Sequence, residues 1–440
     1  MLDSLDDELD RGLGTLARGP TQSAGGVVRR DDDQTGRNRG DQSPALPAAL
    51  RTLLGDSPAL SRGTANASLP PQLRGGPCAA PPSAALSRSQ THEERAGLSI
   101  TCQDTVNAVL DHLRMPLVDR VAFRNTGYRP YENLSLRLGG GSTHLGEWTQ
   151  SIGRLRGGES FDLADVRVPI NHAALRGVVE QTTDALRVEV LEAGQPVASR
   201  TIELRVQPYR HWPLMLDQLW TLAAFVWPNQ PAVQEFIAEA ADAQEAASGS
   251  RSFEGYQGDT RRVLAQVRAL HDAIAGLGGR RRLDYINPPA SFCAVDGSFG
   301  QKIRSPDSIR SEGRGTCLDL TVLLASLLEQ VGLSPVMVVI AGHAFAGCWM
   351  RDGMRLANKC ENLLASPQLR QCFERGELLL FNSTNLCEGQ DLTAAAAVGA
   401  SLVGRNLADV DAGREPADCF VQVIDVRACR DAGVSPLPPG

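Results

Sequence analysis

The chain has 440 residues, more than one compact domain usually holds, so two or three are expected. Its hydrophobic share of 42% can fill real cores, while 26 Pro and 43 Gly imply much loop. A net charge of −7 offers no electrostatic ground for nucleic-acid binding along the whole chain, and Arg280-Arg281-Arg282 is too short a run to change that.

The start, MLDSLDDELD, is acidic and carries no apolar segment, unlike a secretory or transit leader. The apolar stretches 214–227 and 322–342 are interrupted by Asp217, Gln218, Glu329 and Gln330, so neither is expected to span a membrane. The ten cysteines are scattered and form no CxxC pair. Reduced thiols in a cytoplasm are the expectation, with no metal site and no cofactor.

In chain order, residues 1–97 are rich in Gly, Pro, Ser, Arg and Asp and lack sustained periodicity, which predicts a disordered tail. Within it, 47–54 has the spacing of a short helix, either a transient one or a docking peptide. Residues 98–207 alternate in short runs: LSITC, DRVAFRN, NLSLRLGG, FDLADVRVPI, ALRVEVLEAG and TIELRVQP. With turns at 125–127 and 192–195, they predict an antiparallel, Ig-like β-sandwich. His112, His144 and His172 sit apart in it and are given structural roles.

Residues 208–283 are expected to form a helical connector. One helix starts near Pro231, and a second, 259–277, carries Val263, Val267, Leu270 and Ile274 on one face. Trp212, Trp220 and Trp227 are read as packing anchors. Residues 284–430 form an α+β cysteine domain, and 431–440 a short tail.

Chemistry concentrates around SEGRGTCLDLTVLLASLLEQVGL. Leu320, Leu323, Leu324, Leu327, Leu328 and Val331 fall on a helix face, and Gly332 supplies a C-terminal cap. The helix then begins at Gly315-Thr316, so Cys317 lies in its first turn. Free amides and the helix dipole there favour thiolate. Downstream, PVMVVI predicts a central strand, His343 opens the next in HAFAGCWM, and GELLLF ends at Asn382. A cysteine on a helix tip, a histidine on one strand and an amide on the next supply a nucleophile, a base and a group that orients the base. Gln301 is a candidate oxyanion donor. Trp349 is a candidate groove wall or a core residue, and Asp319 is expected to complement the helix amino terminus. Cys293, Cys348, Cys360, Cys372, Cys387, Cys419 and Cys429 are read as structural.

The stretch FNST resembles the Asp-Pro-Thr segment of transglutaminase-like enzymes, with Asn382 at the aspartate's position, as in papain-type Cys-His-Asn sites. From 98 onward the chain also resembles the amino-terminal region of large bacterial proteins that carry a superfamily I helicase-like motor. LAAFVWPNQPAV, GYQGD, INPPASF, GQKIRSP, GTCLDLTVLLASLLEQVGL, GHAFAGCW and VIDVRACRDAGVSPLP carry this likeness. In those relatives the third site position is often glutamate. No GxxxxGK[ST] phosphate loop is present, so the motor's unwinding is not expected, and the chain reads as a stand-alone front half.

The resemblances imply a transglutaminase-like cysteine protease or amidase, acting on peptide or protein amides through Cys317, His343 and Asn382. A bacterial defence setting, with a helicase- or defence-associated partner protein, is implied by likeness alone. The alternative is an inactive fold that binds peptides as a scaffold. A nucleic-acid-processing accessory is a weaker rival. A sulfur far from His343, or both groups buried without a cleft, would favour the binding reading.

Overall fold

The computed structural model describes residues 51, 52, 54, 89–95, 97–213, 215, 217–277, 282–287, 300–415 and 419–438. Most of the segment read as a disordered tail lies outside them, as do Cys78 and Cys293. Two parts of that segment are described. Residues 51, 52 and 54 are helical, with Leu54 buried among the helices of the carboxy-terminal half. Ser89–Arg95 is a strand, β1, so pairing begins before residue 98.

Alternation of apolar and polar residues builds two sheets. The first orders β1, β2 (Leu98–Gln103), β4 (Val118–Arg124) and β7 (Ser160–Val166), all antiparallel. The second orders β3 (Thr105–Val106), β9 (Gln195–Val206), β8 (Thr182–Glu192), β5 (Tyr131–Gly139) and β6 (Trp148–Leu155), antiparallel except for the short β3–β9 pairing. Ile100 and Val121 from one sheet and Leu136 and Val188 from the other share one core. Two short helices, α1 (Ala108–His112) and α2 (His172–Arg176), sit in the connections.

Six of the sheet strands match the expected runs, and the 192–195 turn is the hairpin between β8 and β9. Its Ala193 and Gly194 both take positive φ, the geometry that matches strand twist. The strand β6 escapes sequence reading because it is an edge with several exposed residues in succession and no alternation. The three histidines have structural partners: His112 meets the Ser435 carbonyl, His144 meets Asp184, and His172 meets Asp111.

The connector starts with β10 (His211–Pro213) and a 3-10 turn, Leu219–Phe225. Then come α3 (Pro231–Ser248), with proline at its start, and α4 (Thr260–Ile274), capped by Asp259. Val263, Val267, Leu270 and Ile274 are all buried, as their spacing requires. Trp212 and Trp227 are buried anchors, and Lys359 lies over the Trp220 ring.

The carboxy-terminal half contains β11 (Asp284–Tyr285), β12 (Gly300–Lys302), α5 (Pro306–Glu312), β13 (Arg314–Gly315) and α6 (Cys317–Gln330). Then follow β14 (Pro335–Ile340), β15 (His343–Trp349), β16 (Cys360–Asn362), α7 (Pro367–Glu374), β17 (Leu378–Phe381), α8 (Leu392–Asp411), β18 (Val421–Asp425) and α9 (Val426–Asp431). The sheet order is β16-β18-β14-β15-β17, antiparallel throughout, so PVMVVI is central.

One face of this sheet, with Val336, Val338, Phe345 and Val423, packs with residues of α3, α4, α6 and α8. The other, with Met337, Val339, Ala344 and Ile424, shares its core with the connector and the sandwich. Helix α6 contributes to both cores and is covered on every side, as a helix apolar all round must be. The molecule is thus a mixed α+β protein, and no helix among the described residues is long and apolar enough to cross a membrane.

The residues read as a carboxy-terminal tail are packed. Val434 and Leu437 are buried, the Leu437 amide donates to the Ala224 carbonyl, and Trp227 Nε1 donates to the Leu437 carbonyl at 2.6 Å. The reason lies far back in the chain: Trp227 buries an indole N–H that needs an acceptor, and this segment supplies it.

Candidate active site

Three neighbouring segments bring Cys317, His343 and Asn382 together. The first is the start of α6. Thr316 caps it, accepting from the Asp319 amide, while Asp319 accepts from the Thr316 amide at 3.0 Å, a reciprocal capping box. Asp319 is fully buried and is also held by the Arg304 amide and guanidinium, at 2.8 and 3.1 Å. It complements the helix amino terminus as expected. Cys317 therefore sits at the first helical position, with its sulfur near the amides of Cys317, Leu318 and Ala344.

The second and third segments are the start of β15 and the end of β17. These strands are adjacent, so His343 and Asn382 meet: His343 Nε2 lies 2.8 Å from Asn382 Oδ1. The Asn382 Nδ2 hydrogens go to Thr384 Oγ1 and Asn385 Oδ1, which leaves Oδ1 for the imidazole. His343 then donates through Nε2, and its Nδ1, buried and without a hydrogen-bond partner, is the acceptor left over. Because the Ala344 amide reaches the Cys317 sulfur, the sulfur lies beside the backbone that follows His343. Thr321 Oγ1, one turn along α6, meets Ser383 Oγ at 3.0 Å and ties the helix to the Asn382 segment.

Burial dominates the electrostatics. It pushes the Cys317 thiol up, and the nearby Asp319 charge adds to this, against the pull of the three amides. It pushes His343 down to about 4, although the bond to Asn382 works the other way. Desolvation thus works against the thiolate that the helix amino terminus favours, and against the imidazolium as well. Cys317 is 7% and His343 4% exposed.

Gln301 is held beside the cysteine. The β10–β12 ladder pairs it with Trp212, and its Nε2 donates to Thr316 Oγ1 at 2.8 Å. Trp349 does not join this group. It lies at the opposite end of β15, roughly 20 Å along the strand at ~3.3 Å per residue. There it is buried, with its indole N–H on Asp425 Oδ2. Of its two readings, the core one fits and the groove wall does not.

Tyr285 is a neighbour that sequence reasoning missed. The parallel β11–β13 pairing sets it opposite Gly315, and its hydroxyl lies beside the Cys317 sulfur. Burial, then that cysteine, raises its pKa. It directly precedes the INPPASF signature, which was the only hint of its position. Residues 288–299, between Tyr285 and Gln301, lie outside the described residues.

The described cysteines other than Cys317 form no disulfide among the described residues and are dispersed. Burial pushes Cys102, Cys348, Cys360, Cys387 and Cys429 up to about 12. A scan of protein-family models finds none that matches this chain, and no curated protein matches it.

Proposed function

We propose that the chain is a transglutaminase-like cysteine hydrolase that cleaves amide bonds in a protein or peptide. The observation that carries this reading is the His343–Asn382 bond. It fixes the imidazole with Nδ1 as a buried acceptor, one residue before the Ala344 amide that reaches the sulfur of Cys317 at the first turn of a buried helix.

In the proposed reaction, Nδ1 takes the thiol proton as the Cys317 sulfur adds to the amide carbonyl carbon. The tetrahedral oxyanion is met by the Cys317 amide and by the Gln301 amide hydrogen not given to Thr316. Cleavage of the C–N bond releases the amine, which receives the proton from His343, and leaves a thioester. Water then attacks the thioester, His343 accepts its proton, and the carboxylic acid and free thiol are restored. Asn382 keeps the imidazole oriented throughout. An amine in place of water would make the same site a cross-linking transferase. On this reading the protein works in the cytoplasm, alongside a helicase- or defence-associated partner.

The burial of both reacting groups favours a second reading, a fold kept for peptide binding. Labelling of the native protein with iodoacetamide, followed by peptide mass spectrometry, separates the two. The hydrolase reading expects modification of Cys317 to fall at least tenfold in His343→Ala. A rate unaffected by that substitution would move the assignment to the binding module.

A further inference from the structure

A cavity of about 230 Å³ lies where the sandwich meets the connector, and none of Cys317, His343, Asn382 and Gln301 lines it. At about 30 Å³ per water this is room for roughly seven water molecules. Leu110, Met115, Leu117 and Ile170 give it an apolar wall.

Two oxygens on the lining residues are buried without a hydrogen-bond partner, Asp119 Oδ2 and Gln218 Oε1. The other Asp119 oxygen has only a long bond, 3.5 Å, from Gln103 Nε2. No lysine, arginine or histidine lines the cavity, and its second carboxylate, Asp111, is already paired with His172 at 2.6 Å. Asn107 is fully engaged, capping α1 and donating to Gln207 and the His211 carbonyl. The cavity therefore offers acceptors in need of donors, one of them charged, beside a surface suited to methylenes. Buried acceptors left in this condition are costly, and a charged donor satisfies them best.

We propose that this cavity binds a small organic cation, a primary ammonium on a short apolar chain. The ammonium donates to Asp119 and Gln218, and the chain lies against Leu110, Met115 and Ile170.

Calorimetric titration of the full chain with pentylammonium, 1-pentanol and pentanoate tests this. The cation should bind more tightly than either of the other two, and Asp119→Asn should weaken it at least tenfold, the effect of one lost charge-assisted bond. Met115→Trp, which adds bulk to the lining and leaves the carboxylate in the sequence, should abolish binding while the melting transition persists. It decides the matter if Asp119→Asn fails to fold. The proposal is overturned if pentylammonium gives no saturable heat, if pentanol matches it, if folded Asp119→Asn binds it as tightly as the native protein, or if folded Met115→Trp still binds it.

Discussion

At the scale of single residues, His343 shows what burying the base does. Its pKa falls from 6.5 to about 4 because desolvation opposes the charged form. In the unfolded chain the same imidazole protonates near 6.5. Between these values the unfolded state binds the extra proton, so stability declines as pH drops through 6.5 and levels off below 4. From pH 7 to pH 5 the loss should be about 2 kcal/mol, at about 1.36 kcal/mol per pH unit. Urea unfolding at both pH values should show this loss in the native sequence and a much smaller one in His343→Gln. Equal losses would mean the imidazole is not neutral in the fold. Cys317 and its two partners could be named from sequence because their elements follow one another closely: a helix, a hairpin and one more strand. Tyr285 could not, since it reaches the sulfur through a two-residue ladder with no periodicity to read. Trp349 shares a strand face with His343 by alternation, but six positions at ~3.3 Å each separate them, which leaves the core reading as the one that fits.

At the scale of elements, the start of α6 depends on Thr316. Its hydroxyl accepts from the Asp319 amide and from Gln301, so one side chain both caps the helix and holds the oxyanion candidate. Thr316→Val keeps the shape and removes both bonds. It should lower stability by about 1–2 kcal/mol, the usual cost of a lost cap, seen as a shift in the urea midpoint. Two side chains distant from each other in sequence, Tyr256 and Arg430, show how elements are tied together at this scale. Tyr256 of GYQGD donates to the Trp349 carbonyl and accepts from the Ser334 amide. Arg430 of the last signature pairs with Glu329 and bonds the carbonyls of Ala223, Val226 and Val434. These bonds fasten one element to another. α6, β14, β15 and β17 were legible because their apolar runs are long and bounded. The edge strand β6 was not.

At the scale of the molecule, the two halves share a core, and the last described residues close it. Leu437 is fully buried, so Leu437→Ala should cost about 2–5 kcal/mol, read as a lower melting temperature. A change near zero would mean that the end segment is not held in solution. Sequence reading took this segment for a tail because it is short and proline-rich, and its partners lie in a distant part of the chain. Trp227 and Leu437 are 210 positions apart. A ribosome releases the tryptophan long before the carbonyl that will receive its indole hydrogen. During synthesis the connector must therefore wait with a wet, unfinished flank, and the core closes only after this late arrival, by a long-range contact of the kind that slows folding.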